Sequence, residues 1–349
     1  MQAPGFWARP PEAPGLAARV LAPLSWIWTA VTRRRLARAP ALHPGVPVIC
    51  IGNLTVGGTG KTPMVIALVE RLLARGHAAA VISRGHGGRL AGPVRVDPLR
   101  HEAADVGDEP LLLAAFAPIW VGRDRAATAR AAVAAGAGVL VMDDGLQNSD
   151  LAKDLSLVVV DAGFGFGNGR VIPAGPLREP LAEGLARSDM VLAIGAAGDR
   201  GRFARAWPVV ATMTGLAGEL VPLPTGMDWR GLRALAFAGI GRPEKFFATL
   251  RGLGAEIVAA RSFADHATYD ARVLARLRSE ATAAGAQLVT TEKDAVRLPP
   301  AFRREVLVLP VRLEIEDWTA LDAVLAALGL AGFAAGESRR ASAADDGFD

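Results

Sequence analysis

Cysteine and tyrosine are almost absent from this sequence, with one residue of each among 349. The single thiol, Cys50, excludes an intrachain disulfide framework and a cluster of thiolate metal ligands, and it fits a reducing compartment. A large excess of one charge is also missing, because the formal net charge is only +4. Most basic residues are dispersed along the chain, so we expect no nucleic-acid partner.

An uninterrupted apolar run long enough for a confident membrane span, about 20 residues, is missing too. Residues 16–31 come nearest, but an arginine and a proline interrupt them. Trp26 and Trp28 lie near the end of this run, and Arg33–Arg35 and Arg38 follow it. Tryptophans beside arginines are typical of a helix lying at a membrane surface with its basic end on the cytoplasmic side. The alternative is an amphipathic helix docked on the protein body. We do not expect a cleaved signal peptide, because no small-residue cleavage site follows the apolar run.

A phosphate-binding loop is predicted where the apolar residues 48–52 run into a glycine-rich turn that ends in Gly-Lys-Thr. Backbone N–H groups of such a turn surround phosphates, Lys61 reaches the outer phosphates, and the Thr62 hydroxyl is placed to bind Mg²⁺. The usual pattern G-x-x-x-x-G-K-[ST] is not fully met, and a plain βα turn is the alternative. The candidate nucleotide-binding residues are Thr55, Val56, Gly57, Gly58, Thr59, Gly60, Lys61 and Thr62.

Carboxylates and arginines follow the next predicted strands. Residues 139–142 form an apolar run that ends in Asp143 and Asp144, the Walker-B arrangement for holding Mg²⁺, although doubled aspartates also occur in surface loops. Residues 78–83 lead into a glycine-rich loop that begins at Arg84. Because ligands of α/β sheets bind at the carboxyl ends of the strands, we expect this loop to face the same site, and a plain turn is the less favoured alternative. Asp108 and Glu109 precede an apolar helix. The two carboxylates could cap this helix or act in catalysis, and the sequence alone favours neither role.

The alternation of strands and helices predicts an α/β fold: a P-loop NTPase-like, doubly wound, mostly parallel sheet and a second, smaller α/β domain. We predict an N-terminal membrane-associated helix at 1–38, a nucleotide-binding domain at 39–222, a C-terminal domain at 223–334 and a disordered tail at 335–349. Residues 209–224 show only a weak pattern of short strands, which we interpret as the linker between the two domains. Phe164 and Phe166, among glycines, are expected in a mobile flap. His266 lies in a loop of the second domain, and a lone histidine there is more often structural than catalytic.

An ordered set of motifs runs from about residue 21 to residue 328 and resembles the tetraacyldisaccharide 4′-kinases, the lipid A 4′-kinases of Gram-negative bacteria. The motifs are Gly52-Asn53, Val56-Gly57-Gly58-Thr59-Gly60-Lys61-Thr62-Pro63, Ser83-Arg84-Gly85, Gly107-Asp108-Glu109-Pro110, Asp143-Asp144-Gly145-Leu146-Gln147, Pro176-Leu177-Arg178-Glu179, Asp265-His266 and Thr291-Glu292-Lys293-Asp294-Ala295-Val296. Each motif alone is weak, whereas the ordered set is specific to the family.

The resemblance implies transfer of the ATP γ-phosphoryl group to the 4′-hydroxyl of a tetraacylated glucosamine disaccharide 1-phosphate, which gives lipid IVA at the cytoplasmic face of the inner membrane. It implies ATP and Mg²⁺ as cofactors and no obligate protein partner. It also implies that Asp108 accepts the hydroxyl proton and that His266 orients and polarises Asp108, so domain closure becomes a condition of the chemistry.

The remaining roles follow from the same resemblance. Lys61 would act in catalysis, the metal ligands would come from Thr62, Glu109, Asp143 and Asp144, and the active site or substrate would be supported by Asn53, Arg84, Arg178 and Glu179. Which carboxylate contacts Mg²⁺ directly stays open. Arg178 and Glu179 are also expected as a charge pair near the crevice.

Two positions depart from the family pattern, which often has histidine where this chain has Asn148 and Ala267. Two rival interpretations also stand. A guanine-binding NTPase is suggested by Thr291-Glu292-Lys293-Asp294, but its lysine lies one position late for guanine recognition. A membrane-bound nucleotide sensor would not need a base directed at a sugar, so the Asp108 and His266 pair distinguishes it from a kinase.

Overall fold

A computed structural model describes residues 4–37 and 42–332. Arg38 of the basic cluster and the predicted tail at 335–349 lie outside these residues. The strands are β1 (Val48–Gly52), β2 (Ala79–Ser83), β3 (Val94–Arg95), β4 (Ile119–Val121), β5 (Val139–Asp143), β6 (Leu155–Asp161), β7 (Met190–Ile194), β8 (Thr214–Pro222), β9 (Arg233–Ala238), β10 (Glu256–Ser262), β11 (Gln287–Thr291), β12 (Val306–Leu309) and β13 (Val311–Ile315).

Helices connect most of these strands. They are α1 (Leu16–Leu36), α2 (Lys61–Ala74), α3 (Ala103–Val106), α4 (Asp108–Leu113), α5 (Arg125–Ala134), α6 (Leu181–Ala186), α7 (Ala197–Ala206), α8 (Pro243–Gly252), α9 (Ala271–Ala283), α10 (Glu292–Ala295), α11 (Pro300–Arg303) and α12 (Thr319–Ala327), with short 3₁₀ helices at Gly5–Ala8 and Pro208–Thr212.

The larger sheet has nine strands within the described ranges, in the order β13-β8-β7-β6-β1-β5-β2-β4-β3. Its central strands β1, β5 and β6 run parallel and are buried along their whole length, which explains why they read as continuous apolar runs. Their carboxyl ends therefore meet at one edge of the sheet. The α/β class with a large, mostly parallel sheet agrees with the expectation from sequence.

A second, four-stranded parallel sheet has the order β10-β9-β11-β12. One of its faces packs against α8 through Phe246, Phe247 and Leu250, and the other packs against α9 through Leu274 and Leu277. The smaller domain thus has hydrophobic cores of its own on both faces of its sheet.

The last strand and helix differ from the predicted domain boundaries. Residues 311–327 were expected in the smaller domain, but β13 pairs antiparallel with β8 and completes the edge of the larger sheet. Leu321 and Leu325 of α12 are fully buried in the core of that sheet. The predicted linker at 209–224 is also wrong in part, because β8 is a nine-residue strand of the larger sheet. The smaller domain is therefore an insertion between β8 and β13.

The N-terminal helix α1 docks on the larger domain through small residues spaced seven apart, namely Ala18, Ser25 and Thr32, which are its buried positions. The Ser25 hydroxyl donates to the Val171 carbonyl at 2.7 Å, and the Trp28 indole N–H donates to the Arg178 carbonyl at 2.9 Å. Seven large apolar residues of the same helix are exposed: Leu16, Val20, Leu24, Trp26, Ile27, Trp28 and Val31. Among the described residues, no helix combines the length and apolar character needed to cross a bilayer.

Candidate active site

The loop predicted to bind phosphate, called the phosphate loop below, lies where β1 meets α2, at the edge where the central strands end. Gly60 has a φ of +94°, and a Cβ built there would lie 2.6 Å from the Ile194 side chain, so the turn requires glycine. The buried Asn53 amide donates to the carbonyls of Thr55 at 2.8 Å and Gly57 at 3.4 Å. Asn53 therefore holds the backbone of the loop from beneath.

The loop ends at the N-terminus of α2, a helix of 14 residues whose first residue is Lys61. The Lys61 ammonium lies 3.7 Å from an Asp144 carboxylate oxygen, so the loop lysine faces the end of β5. Thr62 is buried, whereas Val56, Gly57 and Gly58 are exposed at the rim of the loop. Exposed N–H groups beside a positive helix end favour an anionic ligand at this position.

Asp143 and Asp144 occupy the end of β5 in different environments. Asp143 is buried; one of its carboxylate oxygens accepts from the Ser83 hydroxyl at 3.1 Å, and the other, Oδ1, has no hydrogen-bond partner among the described residues. Burial, together with the nearby charges of Glu109 and Asp144, raises the pKa of Asp143 to about 7. Within residues 4–37 and 42–332, Asp143 forms no ion pair, although the charges of Lys61 and Arg125 act on it from a distance and lower its pKa.

Asp144 has a φ of +48° and is half-buried, with its carboxylate 2.9 Å from the Arg178 guanidinium. Burial raises the pKa of Asp144, but the charges of Lys61 and Arg178 outweigh it and lower the pKa below its usual value. Asp144 is therefore ionised at neutral pH, with Lys61 and Arg178 as its cationic partners.

Asp108 and His266 meet across the cleft between the two domains. Asp108 begins α4 and is 5% exposed, and His266 lies in the loop after β10. The His266 Nδ1 atom is 2.9 Å from Asp108 Oδ2 and 3.1 Å from Oδ1. The sequence could only suggest this pairing through a family resemblance, and the structure brings the two side chains into direct contact.

The contact between Asp108 and His266 also shifts the pKa values of both residues. Hydrogen bonding to Asp108 raises the pKa of His266, although burial and Lys293 oppose it. Burial raises the pKa of Asp108, but His266, Lys293 and Arg297 together bring it below its usual value. Both shifts favour an ionised carboxylate beside a proton on His266 Nδ1.

Glu109, which was predicted as a metal ligand, forms an ion pair with a lysine of the smaller domain. Its Oε1 atom is 2.9 Å from the ammonium of Lys293, which comes from the start of α10 in the smaller domain. Burial raises the pKa of Glu109, and the charges of Lys293 and Lys61 lower it further than burial raises it. Lys293 was missed as a site residue, although the Thr-Glu-Lys-Asp motif at a strand end was the signal that could have identified it.

The structure separates the predicted charge pair of Arg178 and Glu179. Arg178 binds Asp144, whereas the buried Glu179 accepts from the Gln147 amide at 2.9 Å and forms an ion pair with Arg187. The two residues therefore support the loop after β5 from different sides. Arg84 is exposed and has no side-chain hydrogen bond or ion pair within residues 4–37 and 42–332.

A second cross-domain contact lies at the end of β6. The Asp161 carboxylate is 2.9 Å from the Arg242 guanidinium and 2.7 Å from the Lys245 ammonium. Sequence analysis assigned no role to these three residues, although Asp161 ends a buried strand just as Asp143 does. Two acidic strand or helix ends of the larger domain, at Asp108 and Asp161, thus face basic groups of the smaller domain.

Two further expectations concern the loops around the site. Phe166 was expected in a mobile flap, but it is 1% exposed and packs against Phe203 and Trp207, with ring centroids 5.6 and 5.2 Å apart. The flap prediction is therefore wrong for Phe166, because its large apolar ring fills the core under the glycine-rich turn. Two residues depart from the family pattern. The Asn148 amide donates to the nearby Asp150 carboxylate at 2.9 Å, and the Ala267 carbonyl accepts from the Arg297 guanidinium at 2.9 Å.

The side chains predicted to bind Mg²⁺ do not by themselves form a complete metal-coordination site in the described part of the chain. Within the described ranges, no group of three or more His, Cys, Asp or Glu side chains is arranged to hold a metal ion. Mg²⁺ in nucleotide sites, however, usually takes one or two protein ligands and completes its octahedron with phosphate oxygens and water. The buried, unpartnered Oδ1 atom of Asp143 meets that smaller requirement.

Comparisons with known proteins agree on one family. A family model described as tetraacyldisaccharide-1-P 4′-kinase matches residues 17–329. A tetraacyldisaccharide 4′-kinase of Dinoroseobacter shibae is 63% identical over 326 residues, which cover 93% of this chain and 97% of the relative. A protein of the same name from Jannaschia sp. is 55% identical over 325 residues, 93% of this chain and 98% of the relative.

A solved structure has the same fold. The crystal structure of the "apo" form of LpxK from Aquifex aeolicus, described as a complex with ATP, is similar with a TM-score of 0.70 and 23% identity. The similarity covers 90% of this chain and 99% of the Aquifex chain. At this level of identity, the likeness establishes the α/β fold with its large sheet.

Proposed function

Because the chain belongs to the tetraacyldisaccharide-1-P 4′-kinase family, we propose that its phosphoryl transfer is carried out by Asp108 and His266 in the cleft between the two domains. The family makes the chain a kinase of lipid A biosynthesis that uses ATP to phosphorylate the 4′-hydroxyl of tetraacyldisaccharide 1-phosphate, giving lipid IVA. One observation carries the residue assignment: the contact of 2.9 Å between His266 Nδ1 and Asp108 Oδ2, made by residues of different domains.

The phosphate loop holds the nucleotide. The N–H groups of residues 56–60 and the first turn of α2 surround the phosphates, and the positive helix end favours their charge. Lys61 leaves Asp144 to bind the outer phosphates, since the separation of 3.7 Å is that of a loose ion pair. Negative charge on the transferring group is thereby neutralised at the rim where Gly58 and Gly57 are exposed.

The proposed base is Asp108. Its ionised carboxylate accepts the proton of the 4′-hydroxyl as the oxygen attacks the γ-phosphorus, and the bond between that phosphorus and the β,γ-bridging oxygen breaks. His266 donates Nδ1–H to Asp108 and so fixes the direction of the carboxylate. Because one residue belongs to each domain, the base is oriented only when the domains are closed, which limits transfer to water.

Magnesium is expected at the carboxyl end of β5. Thr62, Asp143 and Asp144 would hold it, and Glu109 would join them after release from Lys293. When bound, the ion would neutralise negative charge on the phosphates of the nucleotide. The observation that supports this proposal is the buried Asp143 carboxylate, whose pKa is raised by burial and neighbouring carboxylates and whose Oδ1 atom has no hydrogen-bond partner among the described residues.

The acceptor is a lipid, and we propose that α1 brings the protein to the cytoplasmic face of the inner membrane. The helix buries its small residues against the protein and exposes a stripe of large ones, including Leu24 and Ile27, which are 52% and 63% exposed. This arrangement inverts the usual amphipathic pattern of a docked helix. Arg33–Arg35 at its end suit anionic headgroups. No obligate protein partner is needed for this arrangement.

A lipid phosphorylation assay tests the proposal. Purified protein is incubated with γ-labelled ATP, Mg²⁺ and detergent-dispersed tetraacyldisaccharide 1-phosphate, and the lipids are separated by thin-layer chromatography. We expect Asp108→Ala to lower turnover by about 10²–10⁴-fold while ATP binding is retained, as general-base loss predicts. Asp105→Asn is the matched control, because Asp105 is a nearby buried carboxylate that pairs with Arg89 outside the cleft. Unchanged turnover in Asp108→Ala would remove Asp108 as the base.

A further inference from the structure

The segment 291–297, which begins at the end of β11, carries a buried network around Asp294 to which the proposed function assigns no role. Asp294 at its centre is 0% exposed. Its carboxylate accepts from the Gly239 N–H at 2.9 Å, the Tyr269 hydroxyl at 2.6 Å and the Arg297 guanidinium at 2.7 Å. A carboxylate this deeply buried is stabilised by such a set of donors and a paired cation.

Arg297 extends this network to the loop that carries His266. Its side chain is 6% exposed. One terminal nitrogen donates to the Ala267 carbonyl at 2.9 Å, and the other donates to the Gly239 carbonyl at 2.9 Å. The Arg297 Nε–H donates to the Lys293 carbonyl at 3.1 Å, and the same Nε atom lies at an ion-pair distance of 3.6 Å from Asp108 Oδ2 in the other domain. One planar guanidinium thus contacts the His266 loop, the strand end beneath it and the carboxylate that His266 binds.

The His266 loop needs this support because its backbone is strained. His266 has a φ of +58°, a conformation that residues other than glycine adopt uncommonly and that persists only where surrounding contacts hold it. The His266 N–H donates to the Gly239 carbonyl at 3.2 Å, the same carbonyl that accepts from Arg297. Tyr269, three residues further on, is held by Asp294. Both ends of the turn are therefore bound to the Asp294–Arg297 pair.

We propose that Arg297 is a positioning residue of the kinase reaction, which Asp294 holds in place and which sets the direction of the His266 ring and of the Asp108 carboxylate. This inference rests on the proposed roles of Asp108 and His266. A contribution to folding alone would account for the contacts of Arg297 inside the smaller domain. It would not account for the approach to Asp108, which belongs to the larger domain.

The first test compares Arg297→Lys with Arg303→Lys. Lysine keeps the charge but cannot reach two carbonyls and a carboxylate at once. Arg303 is the matched control, because it also donates to carbonyls of this region, those of Val296 and Leu298, without contacting the His266 loop. We expect Arg297→Lys to lower kcat by about 10- to 100-fold, the scale of a misplaced catalytic group, with KM for ATP within about twofold. Equal kcat values for the two folded variants would overturn the inference.

A double-mutant cycle separates positioning from general stability. If Arg297 acts through the pair, Arg297→Lys causes little further loss of kcat in an Asp108→Ala background. A loss of the same factor in both backgrounds contradicts the inference. Full turnover in Asp108→Ala alone would instead reject the proposed base, so the two failures are distinguishable.

A spectroscopic measurement covers the cases in which turnover is uninformative. The chain has five histidines, so ¹⁵N-labelled imidazole signals can be assigned with His266→Asn. We expect the His266 Nδ1–H signal to show a strong hydrogen bond in the wild type and in Arg303→Lys, and to lose it in Arg297→Lys. If Arg297→Lys does not fold, Arg297→Gln is used instead. An unchanged His266 signal in a folded Arg297 variant contradicts the inference.

Discussion

At the level of single residues, the cleft joins opposite charges from two domains. Asp108 and Glu109, adjacent in sequence at the start of α4, bind His266 and Lys293 of the smaller domain. In each contact, a carboxylate of the larger domain is bound by a basic group of the smaller domain. Substitutions at these positions therefore report on closure as well as on chemistry.

The contact between His266 and Asp108 predicts a pH dependence of stability. The raised pKa of His266 means that its contribution is fully present below the unfolded value of 6.5 and is lost as the pH rises through the folded value. The lowered pKa of Asp108 means that its contribution is present above 3.8 and is lost as the pH falls through the depressed value. We expect the melting-temperature difference between wild type and His266→Asn to shrink from about pH 6 to about pH 9. A constant difference across that range would contradict the assignment.

Glu109 has two possible partners, the Lys293 ammonium and Mg²⁺, and these lead to a second prediction for single residues. If Glu109 joins the metal site when nucleotide binds, Glu109→Gln raises the Mg²⁺ concentration needed for half-maximal turnover, whereas Lys293→Met does not. We expect a rise of about tenfold, the lower end of the range for altered metal surroundings. The measurement is a Mg²⁺ titration of both variants. Equal titration curves for the two variants would restrict Glu109 to its ion pair with Lys293.

At the level of the element, α1 combines a narrow docked face with a broad exposed apolar face. Its buried positions are small or hydroxylated, so little apolar area holds it to the protein. The specific anchors are the hydrogen bonds of Ser25 and Trp28 and the ion pair of Arg33 with Glu183. The helix can thus be fixed in orientation while its large side chains remain available to lipid.

This arrangement predicts that single charges on α1 weaken membrane binding without loss of fold. We expect Ile27→Glu to reduce flotation with vesicles of phosphatidylethanolamine and phosphatidylglycerol by about tenfold, since a buried side chain of this size contributes about 1.5–3 kcal/mol. Leu99→Glu is the control, because Leu99 is 96% exposed but lies in the turn before α3 and not on α1. Equal flotation of the two variants would place the membrane contact elsewhere.

Local sequence patterns were informative for elements whose contacts are local. The phosphate loop, the β5 end at Asp143 and the start of α4 at Asp108 follow from short runs of apolar, glycine and acidic residues. The β8–β13 pair could not be read in the same way, because its partners are separated by the whole smaller domain. The partners of Asp161 and Glu109 were missed for the same reason: ion pairs between domains leave no periodic signal in either segment.

At the level of the whole molecule, the cleft is closed on two sides. One side has the Asp108 and Glu109 contacts, and the other has Asp161 with Arg242 and Lys245. Between them, Gly241 approaches the phosphate loop so closely that a Cβ there would lie 3.2 Å from the Gly58 nitrogen. Nucleotide bound in the loop would therefore contact the smaller domain as well.

The Asp161 contact predicts a shift between open and closed forms. Asp161→Asn leaves two cations of the smaller domain without their buried carboxylate and should favour opening by at least about 1 kcal/mol, a factor of about five. We expect KM for ATP to rise by at least that factor. Because Cys50 is buried, fluorophores on Leu99→Cys and Arg272→Cys can report the interdomain distance directly.

A matched variant controls for the loss of charge. Asp322→Asn also removes an aspartate that pairs with two cations, but its partners Arg71 and Arg75 belong to the same domain. We expect Asp322→Asn to leave both KM and the interdomain distance unchanged. An identical distance distribution in Asp161→Asn and Asp322→Asn would show that the Asp161 contact does not hold the cleft closed.

The insertion of the smaller domain between β8 and β13 also has a consequence for biosynthesis. The Leu223 N–H donates to the Pro310 carbonyl at 2.9 Å, so the two connections of the insertion lie side by side. During translation, residues 233–309 leave the ribosome before the strand that completes the larger sheet. The smaller domain can therefore fold on the nascent chain while the β8 edge is still open. The nucleotide-binding sheet, although it begins near the N-terminus, is the last part of the enzyme to be completed.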